Sequence, residues 1–464
     1  MPVYGQGHKY CGKSMEQSRA SDRLERGEGN LAGCRAVVMG LGLHGGGVGV
    51  AQYLAAQGAM VTVTDLRDEA TLQPSLAELE GLPLRYVLGR HEDADFRHAD
   101  LVLRNPAVPL DSPYLALAQE AGARIEMESS LFVQACPSEF IAGITGTKGK
   151  TTTTVLLSQM LDAAGYHVVT AGNLRISMLS QLAEITAETR VVLELSSWQL
   201  EAFVPHEYSP PLAVVTNVLI DHLNRYAGMD DYAAAKEINV RCQRQTDVAV
   251  LNRDNEYTRA MGARAPGKVV WFSGQDAIPG AADAPESGAH QRVNMAAASA
   301  AARQWDVNDS VIATAVRNFT GVPHRQELVR EWHGIRFIND TTATMPTATV
   351  ACIETIPGPK VLLLGGADKR LDFSGLAQTL HDHQDTIRGI VLLEGSATDQ
   401  LAAALPLPVA GRYADIAQAL EQAVALARSG DAVILSPGCA SFGMFTHEFE
   451  RGDAFRTWVA ALPE

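Results

Sequence analysis

From Arg35 to the C-terminus, short runs rich in Val, Ile and Leu alternate with Ala-rich stretches of helical length. That alternation is the pattern of parallel sheets with crossover helices, and it limits the possible folds more than any other feature of the chain. Three groups of strands can be read. "RAVVMG", "MVTVTD" and "ADLVLRN" form the first, its opening pair flanking an Ala-rich helix that begins near Gly46. "EFIAGIT", "YHVVTAG", "RVVLELS", "PLAVVTN" and "DVAVLN" form the second; "IRFIND", "KVLLLGG", "GIVLLEG" and "DAVILSPG" form the third. The recurrence is of α/β units, with no short repeat. A chain of 464 residues is too long for one ordinary core. Boundaries near residues 128 and 321 divide it into domains over 31–128, 129–321 and 322–464. Residues 1–30, with mixed charges and little apolar periodicity, read as a poorly ordered arm without assigned function.

Composition excludes several classes. No uncharged apolar run approaches the ~20 residues of a membrane span, so no membrane insertion is expected. The six cysteines (Cys11, Cys34, Cys136, Cys242, Cys352, Cys439) lie far apart, without a Cys-x-x-Cys pair, and no apolar signal segment follows Met1. That points to a reducing cytoplasm and away from a disulfide framework or a cysteine zinc site. A formal net charge of -15 repels nucleic acid and acidic membranes. Any anionic ligand must be held by a local arrangement.

Two glycine-rich turns offer such arrangements. Gly40, Gly42 and Gly45 in "GLGLHGGG" form G-x-G-x-x-G between a strand and a helix, with Asp65 ending the next strand. Glycines there let backbone N–H groups approach a diphosphate at a helix N-terminus, while the acid takes a ribose or base edge. The plain alternative is a tight turn with no ligand, and alone the motif suggests a nicotinamide enzyme. The second turn, in "GITGTKGKTTTT", places Gly146, Thr147, Lys148, Gly149, Lys150, Thr151 and Thr152 between a strand and a helix. Its N–H groups cradle phosphate oxygens, Lys150 neutralises their charge and the Thr151 hydroxyl takes a Mg²⁺. Ile144 occupies the place of the first glycine of the longer G-x-x-x-x-G-K-[ST] motif, leaving T-G-T-x-G-K-T. A ligand-free turn has little use for this order of Gly, Gly, Lys and Thr.

Two further clusters suit one magnesium-phosphate site. "LELSSWQLE" puts Glu194 at the end of a buried strand, where an uncompensated carboxylate costs several kcal/mol. "TNVLIDHLNRYAGMDDYAAAKEI" brings Asp221 and His222 to the end of another strand, with Lys236 on the following helix. Singly these read as a capping Asp, a surface His and a solvated Lys. Together they stand at strand C-termini, where an α/β sheet places its ligand.

With these motifs the sequence resembles the Mur ligases of peptidoglycan synthesis, in particular their glutamate-adding branch. The resemblance runs from about Arg35 to the C-terminus through "GITGTKGKTTTT", "LELSSWQLE", "NVLIDHLNRY", "YAAAK", "GVPHR", "IND" and "SPGCASF", in family order. It implies an N-terminal Rossmann-like domain for a UDP-sugar, a central P-loop-type ATPase sheet and a C-terminal Rossmann-like domain for an amino acid. Lys150 and Thr151 would hold ATP phosphates and Mg²⁺. Thr151, Glu194 and His222 would be magnesium ligands, and a carbamylated Lys236 would bind the second of two ions. Asn294 would meet the adenine, and Arg325 and Asp340 the phosphate and ribose. Leu43, His44, Asp65 and Arg67 would form the uridine diphosphate pocket, with Asn173 and Ser196 at the muramoyl part. Thr344, Lys369, Ser441 and Phe442 would surround glutamate. The implied reaction phosphorylates the carboxylate of UDP-N-acetylmuramoyl-L-alanine, and the glutamate amine then attacks the acyl phosphate. Lys150, His222 and Lys236 are the implied catalytic residues, with His222 preferred as a metal ligand over a base. A cytoplasmic monomer whose domains close on the acyl phosphate is expected.

The match breaks at the amino-acid end. The branch's usual D-S-K-A-T-N reads here Asp340, Thr341, Thr342, Ala343, Thr344, Met345, so one cation is missing. Arg175, Ile220 and Gln291 are lesser departures. A lost charge in a site for a dicarboxylate alters how its two carboxylates are placed. The sequence resembles the variant that adds L-glutamate, particularly in "GLGLHGGG" and "DTTATMP". The alternative is a D-glutamate enzyme whose lysine is replaced by Lys369 or Arg370. A folate polyglutamylating ligase would not need the first glycine turn, and a dehydrogenase leaves the second without purpose. A non-catalytic nucleotide-binding regulator would tolerate loss of His222 or Lys236, yet both are present.

Overall fold

Each group of strands closes into its own sheet in the computed structural model, which describes residues 31–43, 45–174, 176–221, 225–282, 289–368 and 371–463. His44, Arg175, His222, Lys369 and Arg370 lie outside the described residues. The first sheet comprises β1 (Arg35–Met39), β2 (Met60–Asp65), β3 (Leu84–Leu88), β4 (Leu101–Arg104) and β5 (Arg124–Glu126), in the order β3-β2-β1-β4-β5 and parallel throughout. Its order reverses between β1 and β4, so the crevice where α/β ligands bind opens beyond these two strands.

The second sheet comprises β6 (Ile141–Thr145), β7 (Val168–Gly172), β8 (Arg190–Glu194), β9 (Leu212–Val215), β10 (Val248–Asn252) and β11 (Lys268–Phe272). Its order is β11-β10-β9-β6-β8-β7, again parallel, which sets β6 between β8 and β9. The third comprises β12 (Glu327–Trp332), β13 (Ile335–Asn339), β14 (Lys360–Gly365), β15 (Ile387–Leu393), β16 (Val409–Tyr413) and β17 (Ala432–Leu435). It is ordered β12-β13-β17-β14-β15-β16, with only β12 antiparallel to its neighbour. The inner strands are buried on both faces, as their unbroken Val, Ile and Leu runs require.

Among the helices are α1 (Gly46–Ala56), α2 (Glu128–Ala135), α3 (Lys150–Ala163), α4 (Met229–Arg241), α5 (Ala289–Ala302) and α6 (Glu448–Ala460). The chain divides between Phe319 and Thr320 into two compact units, the first two sheets lying in one and the third in the other. Within the first unit one apolar core runs from Val38, Val63 and Leu103 through Leu131 and Phe132 of α2 to Val191 and Leu193 of the central sheet. Each such buried side chain contributes about 1.5–3 kcal/mol. A buried polar link joins the same two sheets. Arg104 at the end of β4 and Arg225 both pair with Glu201, at 3.5 and 3.1 Å, and Arg225 also donates to the Pro106 carbonyl. Among the described residues no helix is long and apolar enough to cross a membrane.

Candidate active site

The turn Gly146–Gly149 connects the end of β6 to the start of α3. Gly146 (φ 151°) and Gly149 (φ 85°) adopt backbone conformations that favour glycine, and a Cβ on either would strike Thr216 or Asn294. The loop is tied to the segment after β9: Lys148 N–H donates to Asn217 Oδ1 (2.9 Å), Thr216 Oγ1 donates to the Lys148 carbonyl (2.6 Å), and Leu219 N–H donates to Thr147 Oγ1 (2.9 Å). Asn294, from α5, packs directly on Gly149.

Two ammonium groups converge on this loop. Lys150 Nζ donates to the carbonyls of Gly146 (2.9 Å) and Thr147 (3.1 Å), and Lys236 Nζ, from α4, donates to the same Gly146 carbonyl (3.0 Å). Lys236 is 2% exposed. Its burial, and then the charge of Lys150, push its ammonium well below the ordinary lysine range, while Asp221 pulls the other way. The N-terminus of α3 adds the positive end of a helix dipole. Repulsion among these groups is relieved by an anion held at that helix end. Thr151 and Thr152 stand half-buried in the first turn of α3.

The neighbouring strand carries the opposite charge. Glu194, the last residue of β8, is 1% exposed; its Oε1 accepts from Asn173 Nδ2 (2.9 Å), and its Oε2 has no hydrogen-bond partner among the described residues. A buried carboxylate oxygen without a donor is costly, and a bound cation is the natural remedy. No three His, Cys, Asp or Glu side chains gather into a metal cluster among the described residues. Ser196 is engaged locally, its hydroxyl capping the short helix Ser197–Leu200 through Gln199.

At the first sheet, Gly40, Gly42 and Gly45 all have positive φ, and a Cβ on Gly40 would press on Asn105. Packing alone therefore explains part of that glycine pattern. Asp65, 4% exposed, accepts from Gly42 N–H (3.1 Å), Arg67 N–H (3.0 Å) and Arg67 Nε (3.2 Å), which closes the turn from within. Leu43, beside it, packs half-buried against the core. Sequence reasoning missed the Arg104–Glu201–Arg225 link because its members are far apart in the chain and belong to no motif.

In the second unit, Asp340 follows β13 and is 4% exposed, and both of its oxygens are used, accepting from Gln326 N–H (3.1 Å) and Ser436 Oγ (2.8 Å). Burial holds its carboxyl up at about 6. Arg325 is exposed on a turn between His324 (φ 64°) and Gln326 (φ 46°), two left-handed non-glycine residues. Strain of that kind gathers at functional turns. Thr342, where the family signature has lysine, donates its hydroxyl to the His324 carbonyl (3.0 Å). Thr344 and Ser441 are buried, and Ser441 Oγ has no partner among the described residues. Phe442 beside it is half-buried.

Family models match three stretches of the chain: "Mur ligase MurD-like, N-terminal domain" over residues 34–126, "Mur ligase middle domain" over 144–302 and "Mur ligase, glutamate ligase domain" over 324–439. The chain belongs to the Mur ligase family, a class of ATP-dependent ligases. It is 48% identical over 467 residues to the UDP-N-acetylmuramoylalanine--D-glutamate ligase of Roseiflexus sp. (strain RS-1), covering 93% of this chain and 99% of that one. The protein of the same name from Acetivibrio thermocellus is 34% identical, covering 92% and 96%. A crystal structure of MurF from Acinetobacter baumannii shares the fold with a TM-score of 0.51 at 18% identity, covering 85% of this chain and 90% of that one.

Proposed function

We propose that this chain joins glutamate to the carboxylate of UDP-N-acetylmuramoyl-L-alanine at the expense of ATP, through an acyl phosphate. The carrying observation is the convergence of Lys150 and Lys236 on the Gly146 carbonyl at the N-terminus of α3. Such a cationic pocket suits a nucleotide's phosphates and has no use in a ligand-free turn. In this reading Lys150 exchanges its two carbonyl acceptors for phosphate oxygens and stabilises the charge that gathers during phosphoryl transfer. Glu194 Oε2, without a hydrogen-bond partner among the described residues, fits a divalent cation, and Thr151 and His222 are proposed to share in holding Mg²⁺. Mg²⁺ would supply charge neutralisation and a template for the phosphates. The depressed basicity of Lys236 suits carbamylation, since only a neutral amine adds CO₂, and the carbamate would hold a second ion. Asn294, Arg325 and Asp340 are proposed for the nucleotide. Leu43, His44, Asp65, Arg67, Asn173 and Ser196 are proposed for the UDP-sugar substrate. Thr344, Lys369, Ser441 and Phe442 are proposed for glutamate.

For the handedness of the amino acid we propose L-glutamate, because Thr342 stands where the signature lysine belongs and its hydroxyl is turned onto the His324 carbonyl. The D isomer is the second reading, favoured by the names of the relatives at 48% and 34% identity. Phosphate release is measured with ATP, UDP-N-acetylmuramoyl-L-alanine and each isomer in turn. Release that depends on both co-substrates and is faster with L-glutamate by kcat/KM is expected. Release without the muramoyl substrate contradicts the ligase reading, and a preference for D-glutamate contradicts the L assignment.

A further inference from the structure

Arg451 is the largest fully buried side chain among the described residues, 1% exposed on the first turn of α6. Its guanidinium spans two loops. Nε donates to Thr341 Oγ1 (3.0 Å) and Nη2 to the Thr341 carbonyl (3.0 Å), both on the loop after β13. Nη1 donates to the carbonyls of Cys439 and Ala440 (both 3.4 Å) and Nη2 to Cys439 (3.3 Å), on the loop after β17. Thr341 passes the contact on, donating its hydroxyl to the Glu448 carbonyl (2.8 Å). Gly452 makes the reach possible: a Cβ there would fall on His324 and on Thr341 Cγ2, so only glycine lets α6 lie this close to the first loop. The two loops share a backbone bond, Gly438 N–H to the Ala343 carbonyl (2.8 Å). A planar, rigid fork fixes a spacing that one such bond cannot, and the compact ammonium of lysine cannot imitate it.

We infer that Arg451 is a positioning residue for amino-acid specificity. It sets the distance between the loop carrying Thr344 and the loop carrying Ser441 and Phe442. The inference rests on the glutamate-ligase reading above. A buried cation thus ties these two loops together although signature position 342 holds threonine.

The test is steady-state kinetics on Arg451→Lys and Arg451→Met in the full chain, with melting temperatures measured alongside. Lysine keeps the charge and loses the fork; methionine loses both. A shift of a fraction of an ångström between the loops is expected to raise the KM for glutamate roughly 30-fold and to move the L-to-D ratio at least about threefold. The KM for UDP-N-acetylmuramoyl-L-alanine is expected to stay within about twofold in both variants. A lower melting temperature with glutamate KM and isomer ratio unchanged assigns Arg451 to folding alone and overturns the proposal. If neither variant folds, Thr341→Val, which removes the hydroxyl acceptor of Nε, is read by the same two outcomes. If the wild type releases no phosphate with either isomer, the ligase reading fails first, and this inference falls with it.

Discussion

The strand ends of the central sheet and those of the third sheet are built on opposite electrostatic plans. Around Gly146 two lysines crowd one carbonyl, and Glu194 keeps a buried oxygen without a donor among the described residues. Around Asp340 the charges are satisfied from within, both carboxylate oxygens accepting and Arg451 spending its donors on loop carbonyls and a hydroxyl. In the proposed function the first region awaits a charged ligand. In the second region the charges are satisfied internally, and its selectivity is proposed to come from how firmly its loops are placed. On the proposed function, the central site would give up stability for binding, as catalytic centres commonly do.

Substitutions can break this contrast, beginning with the largest effect. Lys150→Ala is expected to lower kcat about 10³-fold, since it removes a principal electrostatic partner of the transferred phosphate. Phosphate release under saturating substrates measures it, and retention of wild-type turnover would remove Lys150 from the site. Glu194→Gln should cut activity about 10²-fold and weaken the Mg²⁺ dependence. Its melting temperature should be equal to the wild type's or higher, because a buried carboxylate charge with a donor on only one oxygen among the described residues is lost while Asn173 keeps its acceptor. A variant that loses stability and keeps activity would reverse the assignment. Thr342→Lys restores the signature cation and should shift the L-to-D ratio about tenfold toward D-glutamate. An unchanged ratio would show that position 342 does not set handedness.

Apart from these effects on activity, stability should depend on pH. The Asp340 carboxyl is raised from 3.8 to about 6 by burial, so ionising it costs the folded state more than the unfolded one. That cost is absent below about pH 4, grows between pH 4 and 6 and is complete above, reaching on the order of 3 kcal/mol. Wild-type stability should therefore decline across that window relative to Asp340→Asn. Urea melts at pH 4, 5, 6 and 7 check it, and parallel curves would show that the carboxyl ionises freely.

The strand readings succeed and fail for a physical reason. All twelve runs expected as strands are strands, and eleven of them lie inside a sheet, where burial on both faces writes an unbroken apolar run; β7 is the edge strand among them. The strands absent from that reading, β3, β5, β11, β12 and β16, are all edges. One face of each meets solvent, so "LRYVL" or "VAGRY" carries too few apolar residues to stand out. At the site, Lys150 and Glu194 were legible because one follows a glycine turn and the other ends a strand, and Lys236 because it lies on the helix that follows the β9 segment. Arg451 and the Arg104–Glu201–Arg225 link were not: an arginine that bonds carbonyls far away in sequence leaves no local pattern. Ser196 was legible as a residue, while its capping of a short helix emerges only from the structure.

Carboxylate activation at the Gly146–Gly149 turn is tested most directly by isotope transfer. With the alanyl carboxylate of UDP-N-acetylmuramoyl-L-alanine labelled in both oxygens with heavy oxygen, the phosphate released during glutamate addition should carry one labelled atom, because the acyl phosphate breaks at its carbonyl carbon. Unlabelled phosphate, with product formed at the normal rate, would mean that no acyl phosphate forms and would contradict the account.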